Sequence, residues 1–212
     1  MSDAVKWQFQ KTAETMIDAL KHKGFNTIYA DNLAEAKSKV LEVLPEGATI
    51  GLGGSMTIDD MDILDQLRTD KYQLIDRYQP STSAQHVQFY REALGADYFL
   101  TGANAITEAG EIVCMDCSGN RVAAMMFGPE KVIIVVGVNK FVENIAEAFK
   151  RIKKIAPINA KRNQHKTPCT VTGKCENCNQ PESMCNYTGI IHNGMRFEGR
   201  TTVIVVADVV GL

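Results

Sequence analysis

Val132-Ile133-Ile134-Val135-Val136 is a run of five β-branched residues with no polar residue among them. A strand with one face in water alternates apolar and polar side chains. A strand with no polar face has to be covered on both sides, as in the middle of a parallel sheet. The rest of the chain supplies covers and neighbours. Residues 3–23 carry Trp7, Ala13, Met16, Ile17 and Leu20 near a helical period and stop at Gly24. Strand-like segments follow at 25–30, 49–52, 72–75, 98–101 and 201–206, and helical ones at 33–44, 55–68, 83–94, 122–127 and, as two stretches, 141–160. Asn32 is placed to cap the helix that Pro45 ends.

Strands alternating with helices predict an α/β fold with a mostly parallel sheet and helices on both faces. Thr107-Glu108-Ala109-Gly110-Glu111 predicts a hairpin turn between 103–106 and 112–115, and Asn193-Gly194 predicts a C-terminal hairpin. With 212 residues, the chain reads as one domain, 1–212, with a Cys-rich, metal-binding insertion at 167–187. Hydrophobic residues at 45% allow a core of ordinary size, and a net charge of -2 excludes a wholly basic nucleic-acid binder. The apolar runs fall far short of the roughly 20 residues of a membrane helix, and the first helix lacks a signal peptide's continuous apolar segment. A cytoplasmic protein is expected, in which six cysteines are not disulfide-bonded.

Gly51-Leu52-Gly53-Gly54-Ser55-Met56-Thr57 joins a strand to a helix, where ligands of parallel sheets collect. Glycines allow close approach to the backbone, the helix start favours an anion, and Ser55 and Thr57 add hydroxyl donors. The alternative is a tight turn with Thr57 and Asp60 as a capping pair. Asp59, Asp60 and Asp62 oppose a highly charged phosphate there. In Asp116-Cys117-Ser118-Gly119-Asn120-Arg121, Arg121 suits a carboxylate or phosphate clamp; the residues alone favour the alternative, in which Asn120 caps the next helix and Arg121 pairs with a nearby Asp. Cys114 and Cys117 read as packing residues, with a redox pair as the alternative.

Cys169, Cys175, Cys178 and Cys185 form C-x5-C-x2-C-x6-C in a loop-rich segment with Gly173, Asn177, Asn179 and Pro181. Four thiolates presented by a loop suit a [4Fe–4S] cluster, with a structural zinc as the alternative. Eight cations and no acidic residue stand between Glu147 and Glu176, a balance that favours an anionic occupant, with a solvated helix face and an RNA or CoA-phosphate patch as the alternatives. His165 precedes the segment, and Glu108 and Glu111 read as solvated turn carboxylates.

Gly53-Gly54-Ser55-Met56-Thr57, Thr101-Gly102-Ala103-Asn104-Ala105-Ile106-Thr107, Gly119-Asn120-Arg121-Val122-Ala123, Phe127-Gly128-Pro129 and Val138-Asn139-Lys140 occur in an order that resembles the LUD-domain family, associated with bacterial lactate utilisation. Thr167-Pro168-Cys169, Gly173-Lys174-Cys175 and Cys178 resemble a short subgroup with a cysteine tail. The resemblance implies a fold similar to the sugar-phosphate isomerase and CoA-transferase group, and a pocket shared by Gly53, Gly54, Ser55, Asn104, Asn120 and Arg121; Met56 and Thr57 of the glycine loop complete the expected binding set. It implies no reaction. Cys114 and Cys117 stand where polar or glycine residues are expected. The function expected is binding of a small anionic metabolite, a 2-hydroxy or 2-oxo acid or an acyl-CoA, beside an iron–sulfur cluster in a redox or sensing role. The alternatives are an isomerase- or transferase-like enzyme with structural zinc, and a non-enzymatic scaffold that docks a redox partner. The partners expected are the metabolite, a redox protein and a second copy of the chain, with no membrane and no nucleic acid.

Overall fold

The computed structural model describes residues 2–79 and 82–212. Its strands are β1 Asn26–Ala30, β2 Thr49–Leu52, β3 Gln73–Ile75, β4 Tyr98–Thr101, β5 Ala105–Thr107, β6 Ile112–Asp116, β7 Lys131–Gly137, β8 Phe141–Val142, β9 Tyr187–Ile191 and β10 Thr201–Val206. Its helices are α1 Asp3–His22, α2 Leu33–Val43, α3 Met56–Asp60, α4 Leu64–Leu67, α5 Ser83–Glu92, α6 Asn120–Met126, α7 Ile145–Arg162 and α8 Cys169–Thr172.

Six strands form a parallel sheet in the order β1-β10-β7-β4-β2-β3. The all-apolar run falls on β7, inside the sheet, and its side chains divide between the two faces. Val132, Ile134 and Val136 pack with Ala13, Met16 and Leu20 of α1. Ile133 and Val135 pack with Ala36 and Val40 of α2 and Ile58 of α3. The Val203 to Val206 run of β10 divides in the same way, so each central strand stabilises both layers.

A second, four-stranded sheet has the order β8-β5-β6-β9. The expected β5–β6 hairpin is present, with Ala105 opposite Val113 and Ile106 opposite Ile112. Helix α7 covers this sheet, burying Ala148 and Ile152 against Ala105 and Val113.

Three local expectations are corrected. Asn193-Gly194 closes no hairpin: β9 pairs antiparallel with β6, whereas β10 joins the parallel sheet, so the connection passes between sheets. Gly194 is needed there because a Cβ would meet the Phe25 ring at 2.8 Å. The helix expected over 55–68 is two short helices, broken where Asp62 takes φ 51°. Of the two helical stretches expected over 141–160, residues 141–142 are β8 and the rest is one helix from Ile145 that runs through Pro157, held by the burial of Ala148, Ile152 and Ala160. Asn32 caps α2 as expected, accepting from the Glu35 N–H at 3.0 Å. Among the described residues no helix is long and apolar enough to cross a membrane.

Candidate functional site

The carboxyl ends of β2, β4 and β7 are adjacent in the sheet and release three segments: Gly53-Gly54-Ser55, Gly102-Ala103-Asn104 and Val138-Asn139-Lys140. These segments, with α7, enclose a narrow cleft of about 70 Å³. Gly54, Ser55, Met56, Asn104 and Arg121 line it, together with Lys140. Gly53 lies behind the wall, where a Cβ would collide with the Thr101 hydroxyl, and Gly102 leaves room for Ser55 Oγ, 2.6 Å from where its Cβ would stand. The glycines therefore serve the close packing of two strand ends as much as ligand approach.

Ser55, not Thr57, caps α3, accepting from the Ile58 N–H at 3.4 Å. Thr57 is fully buried and its Oγ1 accepts from Lys140 Nζ at 2.8 Å. Asn104 Oδ1 accepts from the Met115 N–H at 2.9 Å and from Arg121 at 2.8 Å, which leaves its Nδ2 donors for the cleft. Asn120 is the first residue of α6; the cap is Gly119, in the left-handed region at φ 77°. Asn120 lines a neighbouring opening with Arg77, Tyr90 and Arg162 rather than the cleft itself.

Arg121 is 9% exposed. Its Nε donates to Asp116 Oδ1 at 2.8 Å, one terminal nitrogen donates to the Gly102 carbonyl at 2.9 Å, and the other donates to Asn104 Oδ1 and to the Met115 carbonyl at 3.0 Å. Asp116 also accepts from the Val122 N–H at 2.7 Å. Four of the guanidinium donors are engaged, so no bidentate fork remains for a ligand. Arg121 pairs with a neighbouring Asp and ties β4, β6 and α6 together at the cleft wall.

Lys140 is the functional group that the sequence reading passed over. It is 3% exposed, and among the described residues no carboxylate pairs with it. Burial, then the nearby Arg151 and Arg121, push its ammonium down to about 7. Its sequence signals are its place just after the apolar strand and in Val138-Asn139-Lys140, a motif that carries the family resemblance but names no chemistry. Asp59 does not oppose an anion as expected: it lies outside the cleft, accepting from Arg162 at 2.9 Å and from the Tyr78 hydroxyl. Arg162 lines the cleft, and neither Asp60 nor Asp62 does. The cleft thus holds cations and amide and hydroxyl donors with no carboxylate side chain.

Cys169, Cys175, Cys178 and Cys185 line one cavity of about 270 Å³, backed by Ile152, Ala156 and Ala160 of α7. Gly173, at φ 76°, ends α8, and Asn177, at φ 49°, turns the chain between Cys175 and Cys178. Burial and the surrounding thiols, Cys175 first, push Cys185 up to about 11. Among the described residues, no three His, Cys, Asp or Glu side chains form a group that could hold a metal ion. Cys185, Met184, Met115, Ile152 and Ala156 line both the cavity and the cleft, so the two share a wall. Of the expected cations, Lys153 lines the cavity, Arg151 donates to the Asn104 and Asn139 carbonyls, and Lys150 pairs with Glu147. Cys114 is buried, with Sγ 3.5 Å from Met125 Sδ, and burial raises its thiol; Cys117 contacts the Ser183 carbonyl at 3.6 Å.

A model of the LUD-domain family matches residues 13–206. A DUF162 family protein from Deinococcus radiodurans, of known crystal structure, is similar over 95% of this chain and 98% of that one, at 17% identity and a TM-score of 0.49. A ribose 5-phosphate isomerase A from Neisseria gonorrhoeae is similar over 53% of this chain and 53% of that one, at 18% identity and a TM-score of 0.36. An eIF2B delta from Chaetomium thermophilum is similar over 55% and 51%, at 16% identity and a TM-score of 0.33. No match was found among curated proteins. The family assignment rests on the family model.

Proposed function

The chain belongs to the LUD-domain family, and from that premise we propose that it binds a small 2-hydroxy or 2-oxo acid in the cleft and holds a [4Fe–4S] cluster on Cys169, Cys175, Cys178 and Cys185, in a redox or sensing role tied to lactate utilisation. The observation that carries this reading is the common cavity of the four thiols and its wall shared with the cationic cleft. Four cysteines and no histidine form an all-sulfur donor set of the kind iron–sulfur clusters take. A single zinc would draw all four sulfurs to about 2.3 Å from one point. Four thiols around a cavity of about 270 Å³ leave room for an occupant larger than one ion. The Cys185 thiol, held protonated by partial burial and by the thiols around it, would be released by a cationic centre among them. When bound, such a cluster supplies one-electron transfer at a potential set by its surroundings.

The chain's own residues address the metabolite. Arg162, which also pairs with Asp59, faces its carboxylate, Lys140 presents its amine, Ser55 and Asn104 donate hydrogen bonds, and Met115, Met184 and Ile152 supply the apolar side. A cleft of about 70 Å³ is well below the roughly 300 Å³ of drug-sized pockets. It therefore favours a three- or four-carbon acid over an acyl-CoA. A redox protein partner and a reducing, cytoplasmic setting accompany this reading.

Two measurements test it. Lactate and pyruvate are each expected to raise the thermal unfolding midpoint, whereas acetyl-CoA is not; no shift with either acid removes the metabolite from the proposal. Anaerobically purified protein is expected to show broad visible absorbance that Cys178→Ser abolishes. Unchanged absorbance in that variant would show that the ligand set is wrong.

A further inference from the structure

We propose that Lys140 is a nucleophilic amine that condenses with the carbonyl carbon of a small 2-oxo acid held in the cleft, forming an imine. This rests on the reading of the cleft as a small-acid site and goes beyond it by giving the site a covalent step.

The geometry is that of a placed nucleophile. Lys140 ends the turn that leaves β7, and that turn is fixed on both sides. The Asn139 carbonyl accepts from Arg151 Nε at 2.9 Å, and Asn139 Oδ1 accepts from the Val210 N–H at 3.3 Å. Lys140 lines the cleft, and its amine has one described partner, the Thr57 hydroxyl. A lysine that serves only to attract anions works best exposed and fully charged, or paired with a carboxylate. This one is buried, unpaired by any described carboxylate, and set among cations. Those are the conditions that activate lysine nucleophiles: desolvation and neighbouring positive charge leave the nitrogen lone pair free near neutral pH. Burial and the two arginines bring the amine down to about 7. Arg162 differs, because a guanidinium does not deprotonate. The cleft therefore offers an amine for the substrate's carbonyl beside Arg162, a permanent cation that Asp59 and Asn159 hold in place with donors to spare.

The step balances without an oxidant or a reductant. The Nζ lone pair attacks the carbonyl carbon, and a proton passes from nitrogen to oxygen to give a carbinolamine. The carbon–oxygen bond then breaks, water leaves with the second proton of the amine, and a carbon–nitrogen double bond remains. The imine, once protonated, draws electrons from the carbon next to it on the side away from the carboxylate, which prepares the substrate for loss of a proton there.

The test treats the full chain with pyruvate and cyanoborohydride, which delivers hydride to the imine carbon and makes the link permanent. Intact mass is expected to rise by one pyruvate less one oxygen atom, and peptide mapping is expected to place that increment on Lys140. At pH 8 its labelling is expected to be at least about tenfold faster than that of exposed lysines, whose ordinary pKa of about 10.4 leaves under about one amine in a hundred neutral. Lactate, which has no carbonyl, is expected to compete and to leave no adduct. Increments spread over Lys150, Lys153 and Lys161 with none on Lys140, or undiminished labelling of Lys140→Met, would overturn the proposal. Mapping of the wild-type chain keeps the test valid if that variant folds poorly. The thermal shift separates the two failures. Midpoints raised by pyruvate and lactate without a Lys140 adduct overturn the imine alone. No shift and no adduct overturn the imine together with the small-acid cleft.

Discussion

Arg121→Ala is expected to lower the unfolding free energy by about 3–5 kcal/mol, the usual consequence of removing one partner of a buried ion pair. Asp116, 8% exposed, would be left with only the Val122 N–H to meet its side chain. The Gly102 and Met115 carbonyls and Asn104 Oδ1 would each lose a donor at once. For a chain of 212 residues that corresponds to a fall of roughly 10 °C in the thermal midpoint. Arg121→Lys is expected to recover only part of the loss, because one ammonium cannot reach all the acceptors that the planar fork reaches. An Arg121→Ala protein with an unchanged midpoint and abolished acid binding would assign Arg121 to the ligand instead of to the wall.

Lys140→Met is expected to act in the opposite direction and stabilise the fold. The buried ammonium is held down to about 7, whereas in the unfolded chain a lysine stays charged to about 10.4. Below pH 7, folding buries a charge without a carboxylate partner; Arg151 and Arg121 repel it, and Asp60 and Cys114 compensate weakly. Between about pH 7 and 10 the unfolded chain binds more protons than the folded one, so wild-type stability rises with pH across that window. Methionine fills similar space and carries no charge. Its gain, roughly 2–4 kcal/mol at pH 6.5 after about 1 kcal/mol for the lost bond to Thr57, is expected to shrink towards pH 10. Midpoints measured at pH 6.5 and 9.5 check this; a gain equal at both values, or a loss at pH 6.5, contradicts it. The expected trade is stability against function, since the same substitution removes the amine from the cleft.

The parts legible in the sequence are those that local pattern dictates. Val132 to Val136 has no polar face, so it had to lie inside a doubly covered sheet, and β7 does. The β5–β6 turn and the Asn32 cap are likewise local chemistry. The four cysteines were legible as a set because clustered thiols in a loop have few other uses. What was not legible is what distant residues decide. A lysine in a sequence reads as surface; Lys140 is buried because Thr57, 83 positions away, and the strand ends around it close over the amine. Asn193-Gly194 carries a strong turn signal, yet the strands it joins belong to different sheets, so tertiary pairing overrides the turn. Arg121 has its acidic partner five positions away, within reach of sequence reasoning, but its Asn104 and Gly102 acceptors come from another strand end. Those acceptors turn a candidate clamp into a strut.

The central claim is that the four thiols around the cavity beside the cleft hold one iron–sulfur cluster. Iron, acid-labile sulfide and zinc measured per chain on anaerobically purified protein test it most directly. About four iron and four sulfide per chain, as a [4Fe–4S] cluster requires, with both lost in Cys178→Ser, is the predicted result; one zinc per chain without sulfide, or no metal, would contradict it.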